Sequence, residues 1–368
     1  MRILCFLSGS ILSGKEYVAL DAISGWLQAG HSVEAMFVGW HDGKFMERLQ
    51  AMHVKCHPVK LGWYYLKNIK WSFDSLIHYP GAVRKFLAVQ KHFRPDVLYV
   101  DSFRPVVLLA PFIKTKIVFH VHEAITFSAN QRMFIKPINK RISKYIAVSD
   151  FIKKDLIASG AAPVRIEVIR NAITSVADTP KQYIQQNILK IGIVGQILKV
   201  KGHTDMLTAC SMLSKASIAY KLYVFGSGNA SYIDELKALA TALGIESNIE
   251  WIGYVADKQK IYNTVDIVVV PSVCDEAFSL VAIEAGAHKV PVIATRSGAL
   301  PENIIDNETG ILVNKEKPQE IFDAIYQLYS HPEKLESMGS AARRHIIANY
   351  SLADMQYKMN GLLNDIQH

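Results

Sequence analysis

Glu276 and Glu284 lie in the stretch PSVCDEAFSLVAIEAGAHKVPVIAT, residues 271 to 295, with seven residues between them and apolar runs on either side. An ionised carboxylate only accepts hydrogen bonds, and burying one without partners is costly. Two of them beside apolar surface suit a ligand rich in hydroxyl donors. A vicinal diol of a ribose or a hexose supplies such groups. The plainer reading of either glutamate is a side chain satisfied by backbone N–H groups or a lysine. A second candidate is the polar end of KIVFHVHE, with His122 and Glu123, where a neutral imidazole could donate or accept a proton. His120 shares the strand face of His122 by the period of two.

These residues need elements to hold them. DIVVVPS and VPVIAT read as consecutive strands. Ser279 is a suitable N-cap for a helix over about 280 to 288, and Leu280, Ile283, Glu284 and Ala287 share one of its faces. RILCFLSG, SVEAMFVG, DVLYVDS, KIVFHVHE and KYIAVSD repeat in the first half as short β-rich runs that end in polar residues, with a helical stretch over about 15 to 29 closed by Gly30. KIGIVGQ, KLYVFGSG and IEWIGY continue the pattern in the second half. Continuous apolar strands separated by helical segments predict parallel sheets covered on both faces. Ligands of such sheets bind at the carboxyl ends of the strands. The polar segment 173 to 187 lacks apolar periodicity and reads as a linker between two doubly wound α/β domains.

The chain has 368 residues, half of them hydrophobic, which suits two domains with sizeable cores. No apolar run reaches the roughly 18 residues of a membrane span. The start reads as a buried strand rather than a leader peptide. Four cysteines, Cys5, Cys56, Cys210 and Cys274, show neither metal-ligand spacing nor a paired framework, which suits a reducing, cytoplasmic setting. Charge is uneven. Residues 1 to 180 hold 24 Lys and Arg against 13 Asp and Glu, whereas the remainder holds 17 against 20. A basic half favours an anionic partner such as phospholipid, lipid-linked phosphate or nucleic acid. No nucleic-acid module signature is present, so the expectation is no nucleic acid. LGWYYLKNIKWSF, 61 to 73, mixes Trp63, Tyr64, Tyr65, Leu66, Trp71 and Phe73 with Lys67 and Lys70, as a membrane interface would, or as an ordinary helix contact with a basic rim would. Lys60, Arg84, Lys85, Lys91 and Arg94 extend this basic stretch, and Asp74 is its one internal acid.

The stretch around the two glutamates resembles the E-x7-E region of GT-B retaining glycosyltransferases of family 4. Further segments resemble that family in order: SGKE (13–16), AGHSV (29–33), FHVHE (119–123), AVSDFIKKDL (147–156), IEVIRNAI (166–173), IVGQILKVKGH (193–203), VFGSGN, SGALPENI and NETGILV. The resemblance implies a GT-B fold, with two Rossmann-like doubly wound domains facing a central cleft. Residues 1–175 would bind the acceptor and 188–345 the nucleotide-sugar donor, and a C-terminal helix in 346–368 would pack back toward the first domain. It implies a retaining hexosyltransferase that uses a nucleotide-diphosphate sugar, UDP-sugar ahead of GDP-sugar. The acceptor would be a membrane-associated saccharide or lipid-linked molecule in cell-surface polysaccharide or lipopolysaccharide synthesis. The protein would sit peripherally at the inner, anionic face of the membrane.

Carried over by position, Glu284 would bind the ribose, Glu276 the transferred sugar, and Lys201 the diphosphate. Ala277, Phe278, Ser279 and Leu280 would offer backbone N–H groups at a helix N-terminus, which favours phosphate. Gly14, Gly195, Gln196 and Gly226 fall at the family's glycine and phosphate positions, and His122 at its histidine near acceptor and sugar. Catalysis would rest on His122, Glu276 and Lys201. The chain departs from the pattern at Gln196, where the family has Arg, at Ala277 and Ser279, where it has Gly, at Ala172 after Asn171, and at Ser13-Gly14. With no Asp-x-Asp in the chain, the expectation is no metal and no cofactor beyond the donor sugar. Charge on the leaving diphosphate would be met by Lys201, the helix terminus and backbone N–H groups. The departing phosphate would take the acceptor proton on the front side. Three rival readings remain: a GT-B sugar-nucleotide epimerase or phosphorylase-like enzyme, an NAD-dependent Rossmann enzyme (disfavoured because no G-x-G-x-x-G follows the first strand), and a non-catalytic nucleotide-sugar binding protein.

Overall fold

The structure, a computed structural model, describes residues 1–8, 12–40, 43–64, 69–125, 135, 137–174, 176, 181 and 188–367. The chain divides into two compact units, Met1–Ala172 with Leu352–His368, and Ile173–Ser351.

In the first unit, β1 (Arg2–Leu7), β2 (Ser32–Val38), β3 (Lys55–Val59), β4 (Val97–Val100), β5 (Lys116–Val121), β6 (Lys144–Ala147) and β7 (Ile166–Val168) form one parallel sheet of order β3-β2-β1-β4-β5-β6-β7. Ile3 to Leu7 and Val97 to Val100 are buried throughout, as a strand covered on both faces requires. Its helices include α1 (Gly14–Gln28), α2 (Lys44–Ala51), α3 (Ile69–Phe93), α4 (Phe103–Leu108) and α5 (Asp150–Ala158). α1 buries Val18, Ala19, Ala22, Ile23 and Trp26, and the Trp26 indole meets the Tyr99 ring edge-on at 5.0 Å.

The second unit has β8 (Leu189–Val194), β9 (Tyr220–Phe225), β10 (Ile249–Gly253), β11 (Ile267–Val270), β12 (Val292–Thr295) and β13 (Gly310–Val313), all parallel, in the order β10-β9-β8-β11-β12-β13. Its helices are α6 (His203–Lys215), α7 (Ala230–Ala242), α8 (Lys258–Thr264), α9 (Leu280–Ala287), α10 (Leu300–Asn303), α11 (Pro318–Ser330) and α12 (Pro332–Asn349). The last helix, α13 (Leu352–Gln367), belongs to the first unit, where Met355, Met359, Leu362, Leu363 and Ile366 join the core beside α1. Gly25 allows this contact, since a Cβ there would lie 2.6 Å from the Gln356 side chain.

The strands expected from the sequence are present, and β3, β7 and β13 are additional. The boundaries differ from the expected ones. Residues 346–349 complete α12 in the second unit instead of opening a terminal helix, so the chain returns at 351/352 and not at 345/346. The first crossing falls after Ala172 and not after 175. Of the supposed linker 173–187, residues 175, 177–180 and 182–187 lie outside the described residues. Ile173 and Lys181 are packed structure: Ile173 is buried and donates its N–H to the Tyr350 carbonyl at 3.0 Å, and the Lys181 ammonium lies 3.0 Å from Asp266.

In each sheet the strand order reverses beside the first strand, between β1 and β4 and between β8 and β11. Loops leaving the carboxyl ends there diverge to opposite faces and open a crevice.

Candidate active site

At the switch point of the second sheet, the loop after β8 runs from Gly195 through one 3₁₀ turn at Lys199–Lys201 into α6. Gly202 ends that turn with φ +69, and a Cβ on it would fall 1.8 Å from the Pro271 carbonyl at the end of β11. Only glycine lets the two loops touch. Val273 N–H donates to the Val200 carbonyl at 2.9 Å and fixes the contact. Lys201 is thereby delivered to Glu276: its ammonium donates to Glu276 Oε1 at 2.6 Å, with the carboxylate side chain 12 % exposed. The Ser272 hydroxyl donates to the same oxygen. Gly226, φ +147, follows β9, and a Cβ there would lie 1.7 Å from the Gly195 carbonyl. The β8 and β9 ends therefore form a bare backbone shelf. Gln196 projects from it, exposed.

α9 begins where the sequence predicts, with the Ser279 hydroxyl accepting from Ala282 N–H at 3.3 Å. Ala277 and Leu280 precede and open it, and Phe278 packs on Tyr350 at 6.0 Å. Ile283 and Ala287 are fully buried. Glu284, on the edge of that face, accepts from the Tyr262 hydroxyl and from the Lys258 ammonium, each at 2.9 Å. Burial and then the Glu284 charge hold the Tyr262 phenol well above its usual range, so it remains a donor. Sequence reasoning did not find Lys258, Tyr262 or Ser272. The one local signal was that Lys258 and Tyr262 are four apart on α8 and so share a face.

The first unit carries a different site at its own switch point. Ser8 N–H, just past β1, donates to Asp101 Oδ1 at 2.8 Å, just past β4. The Lys15 ammonium donates to the Ser8 hydroxyl at 2.9 Å. Gly14 is the first residue of α1, and Ser13 before it donates its N–H to Glu16 at 3.0 Å. His122 follows β5 directly, its ring 4.0 Å from that of His120, whose Nδ1 is 2.6 Å from the Tyr99 hydroxyl. Burial and then the nearby Lys15 push His122 down to about 3, so it is a neutral imidazole at pH 7. Burial likewise pushes Asp101 up. A cavity of about 350 Å³ is lined by Ser8, Lys15, Trp63, Asp101, Arg104 and His122 among others, and the exposed Glu123 is at its wall. This volume is at the small end of ligand pockets.

One expectation needs correction. Trp63 does not enter a membrane interface: it is 9 % exposed, meets Phe103 edge-on at 5.0 Å and lines the cavity. Lys67, Tyr65 and Leu66 lie outside the described residues. The structure brings Lys201, Glu276, Gly195, Gly226 and the α9 N-terminus together in the second unit, whereas Gly14 and His122 belong to the first.

Residues 177–345 match the family model described as Glycosyl transferases group 1, and residues 12–175 match that of Glycosyltransferase Family 4. A D-inositol 3-phosphate glycosyltransferase of Segniliparus rotundus is 35 % identical over 159 residues, 42 % of this chain. The match spans about a third (35 %) of that relative's length. The Anabaena Alr3699/HepE structure in complex with UDP and glucose superposes with a TM-score of 0.84 at 19 % identity, covering 99 % of this chain and 100 % of that one. The lipopolysaccharide outer core galactosyltransferase WaaB, in its apo form, gives 0.78 at 16 % identity, covering 99 % of each chain.

Proposed function

The chain belongs to the group 1 glycosyl transferases of family 4 and has their GT-B fold, and from that premise we propose that it transfers a sugar from a nucleotide-diphosphate sugar, with retention, to a saccharide or lipid-linked acceptor held at a membrane surface. The observation that carries this reading is the pairing of each candidate carboxylate with one ammonium, Glu276 with Lys201 and Glu284 with Lys258, beside the N-terminus of α9. Each carboxylate already has a donor in place, and a ligand hydroxyl can replace or join it.

In this proposal the ribose diol donates to Glu284, beside Tyr262 and Lys258. The diphosphate lies over the Gly195 and Gly226 backbone and the first turn of α9, where amide dipoles favour anions. Lys201 exchanges Glu276 for phosphate oxygens, and Glu276 then accepts from hydroxyls of the transferred sugar. As the glycosidic C–O bond breaks, negative charge grows on the diphosphate, and preorganised donors stabilise it there. A diphosphate oxygen accepts the acceptor's hydroxyl proton while that hydroxyl oxygen bonds to the same face of the anomeric carbon. The UDP-bound relative favours a UDP-sugar. The acceptor occupies the cavity of the first unit, where neutral His122 and Asp101 orient a hydroxyl and Trp63 offers a ring face. A phosphorylated polyol, the acceptor class named by the curated relative, is a second reading of that cavity, for which Lys15 and Arg104 supply cations. The basic first half favours work at the inner, anionic face of the membrane. Among the described residues no helix is long and apolar enough to cross one.

The test is nucleoside diphosphate release from a panel of nucleotide sugars, with and without bacterial lipid extract and with excess chelator. Release that requires extract supports transfer. Donor binding without release would identify a binding protein, and turnover without acceptor would identify an epimerase-like enzyme.

A further inference from the structure

α3 presents two unlike faces. Ser75, Ala82, Phe86 and Val89 are buried against the first unit. Phe73, Leu76 and Ile77, related by three and four residues, share the opposite face with Pro80. They are 62 %, 56 % and 60 % exposed. Large apolar side chains gathered this way on a surface mark an interaction site. Lys70 lies at the N-terminal edge of this patch, Arg84 continues its outward face one turn beyond Pro80, and Lys91 follows two turns later. Lys60 and Arg94 are also exposed, and Asp74 is the one acid between positions 60 and 94.

We infer that the outward face of α3 is a membrane-insertion face, with Phe73, Leu76 and Ile77 entering the acyl boundary of an anionic bilayer and Lys70, Arg84 and Lys91 contacting its headgroups. An apolar centre with a basic rim is the pattern of an interfacial helix. A second copy of the chain fits poorly, since a two-fold contact would bring two basic rims together. The same helix supports the cavity: the Ser75 hydroxyl donates to the Trp63 carbonyl at 3.1 Å, and Tyr79 donates to the Leu108 carbonyl at 2.7 Å. A lipid-borne acceptor would therefore enter beside the docked helix. The inference rests on the reading of a membrane-bound acceptor, but its test needs neither donor nor acceptor.

The test is co-sedimentation of the full chain with vesicles of phosphatidylglycerol and phosphatidylcholine, and with phosphatidylcholine alone. Wild type should bind the anionic vesicles, with a fraction retained at high salt. Phe73→Ser/Leu76→Ser/Ile77→Ser should lose the retained fraction. Lys70→Glu and Arg84→Glu should each lower the low-salt partition about fivefold or more, the value of one basic residue near an anionic surface. Wild-type binding to anionic vesicles unchanged by the triple substitution would overturn the proposal. So would absence of vesicle binding combined with a concentration-dependent dimer that the triple variant abolishes. Unchanged melting temperatures, and unchanged donor-induced shifts, would show that the variants are folded and that the donor reading stands whichever way the vesicles decide.

Discussion

Replacing Glu284 by Ala isolates the donor carboxylate. In the free protein that carboxylate receives Tyr262 and Lys258, each at 2.9 Å, and its side chain is 20 % exposed. A hydrogen bond to a charged group contributes about 1.5–3 kcal/mol. Two ribose hydroxyls that share an already satisfied, partly solvated carboxylate fall at the low end, so the loss is about 3 kcal/mol in all, roughly 150-fold in affinity. The substitution also strips the buried Tyr262 hydroxyl of its acceptor, which costs about 1–3 kcal/mol of stability. Glu284→Gln separates the two effects. It keeps an acceptor for Tyr262 but loses the charge, and should weaken binding about tenfold with little change in melting temperature. Calorimetric titration of the preferred nucleotide sugar into both variants and wild type gives the answer. An alanine variant that is folded and binds with the wild-type constant would refute the ribose assignment.

Other outcomes follow from the same geometry. Gly202→Ala places a methyl against the Pro271 carbonyl at a left-handed backbone position, and should destabilise by at least ~2 kcal/mol, seen as a lower melting temperature. Burial raises Asp21 to about 7 from an ordinary value near 3.8. Its folded-state value is above the unfolded one, so its contribution is intact below pH 4 and is lost progressively as pH rises toward 7. Asp21→Asn should therefore stabilise at pH 7 and lose that advantage below pH 4; a benefit independent of pH in denaturant titrations would contradict this. Turnover should survive excess chelator, because Lys201, the α9 terminus and backbone N–H groups are proposed to neutralise the diphosphate. Complete loss restored by magnesium or manganese would overturn that step.

The parallel strands were legible because burial on both faces writes continuous apolar runs, as in Ile3 to Leu7 and Ile267 to Val270. The start of α9 was legible because a cap is local: Ser279 and Ala282 are three residues apart. Contacts across elements were not. Lys201 and Glu276 are 75 residues apart, and Lys258 reaches Glu284 from a neighbouring helix. β3 was missed because it is a half-buried edge strand that contains Pro58. Trp63 was misplaced because aromatic identity does not reveal burial: Trp63 and Trp71, eight residues apart, are 9 % and 59 % exposed.

The central claim is that Lys201, Glu276 and Glu284 bind a nucleotide-diphosphate sugar. Its most direct test is thermal denaturation of the protein against a panel of UDP-, GDP-, ADP- and CMP-sugars, with NAD as the rival ligand. A ligand present at about 100 times its dissociation constant stabilises the folded state by about 2.7 kcal/mol. The account predicts a raised midpoint with at least one nucleotide-diphosphate sugar, and loss of that rise in Lys201→Met. No rise with any of them, or a rise with NAD alone, would contradict it.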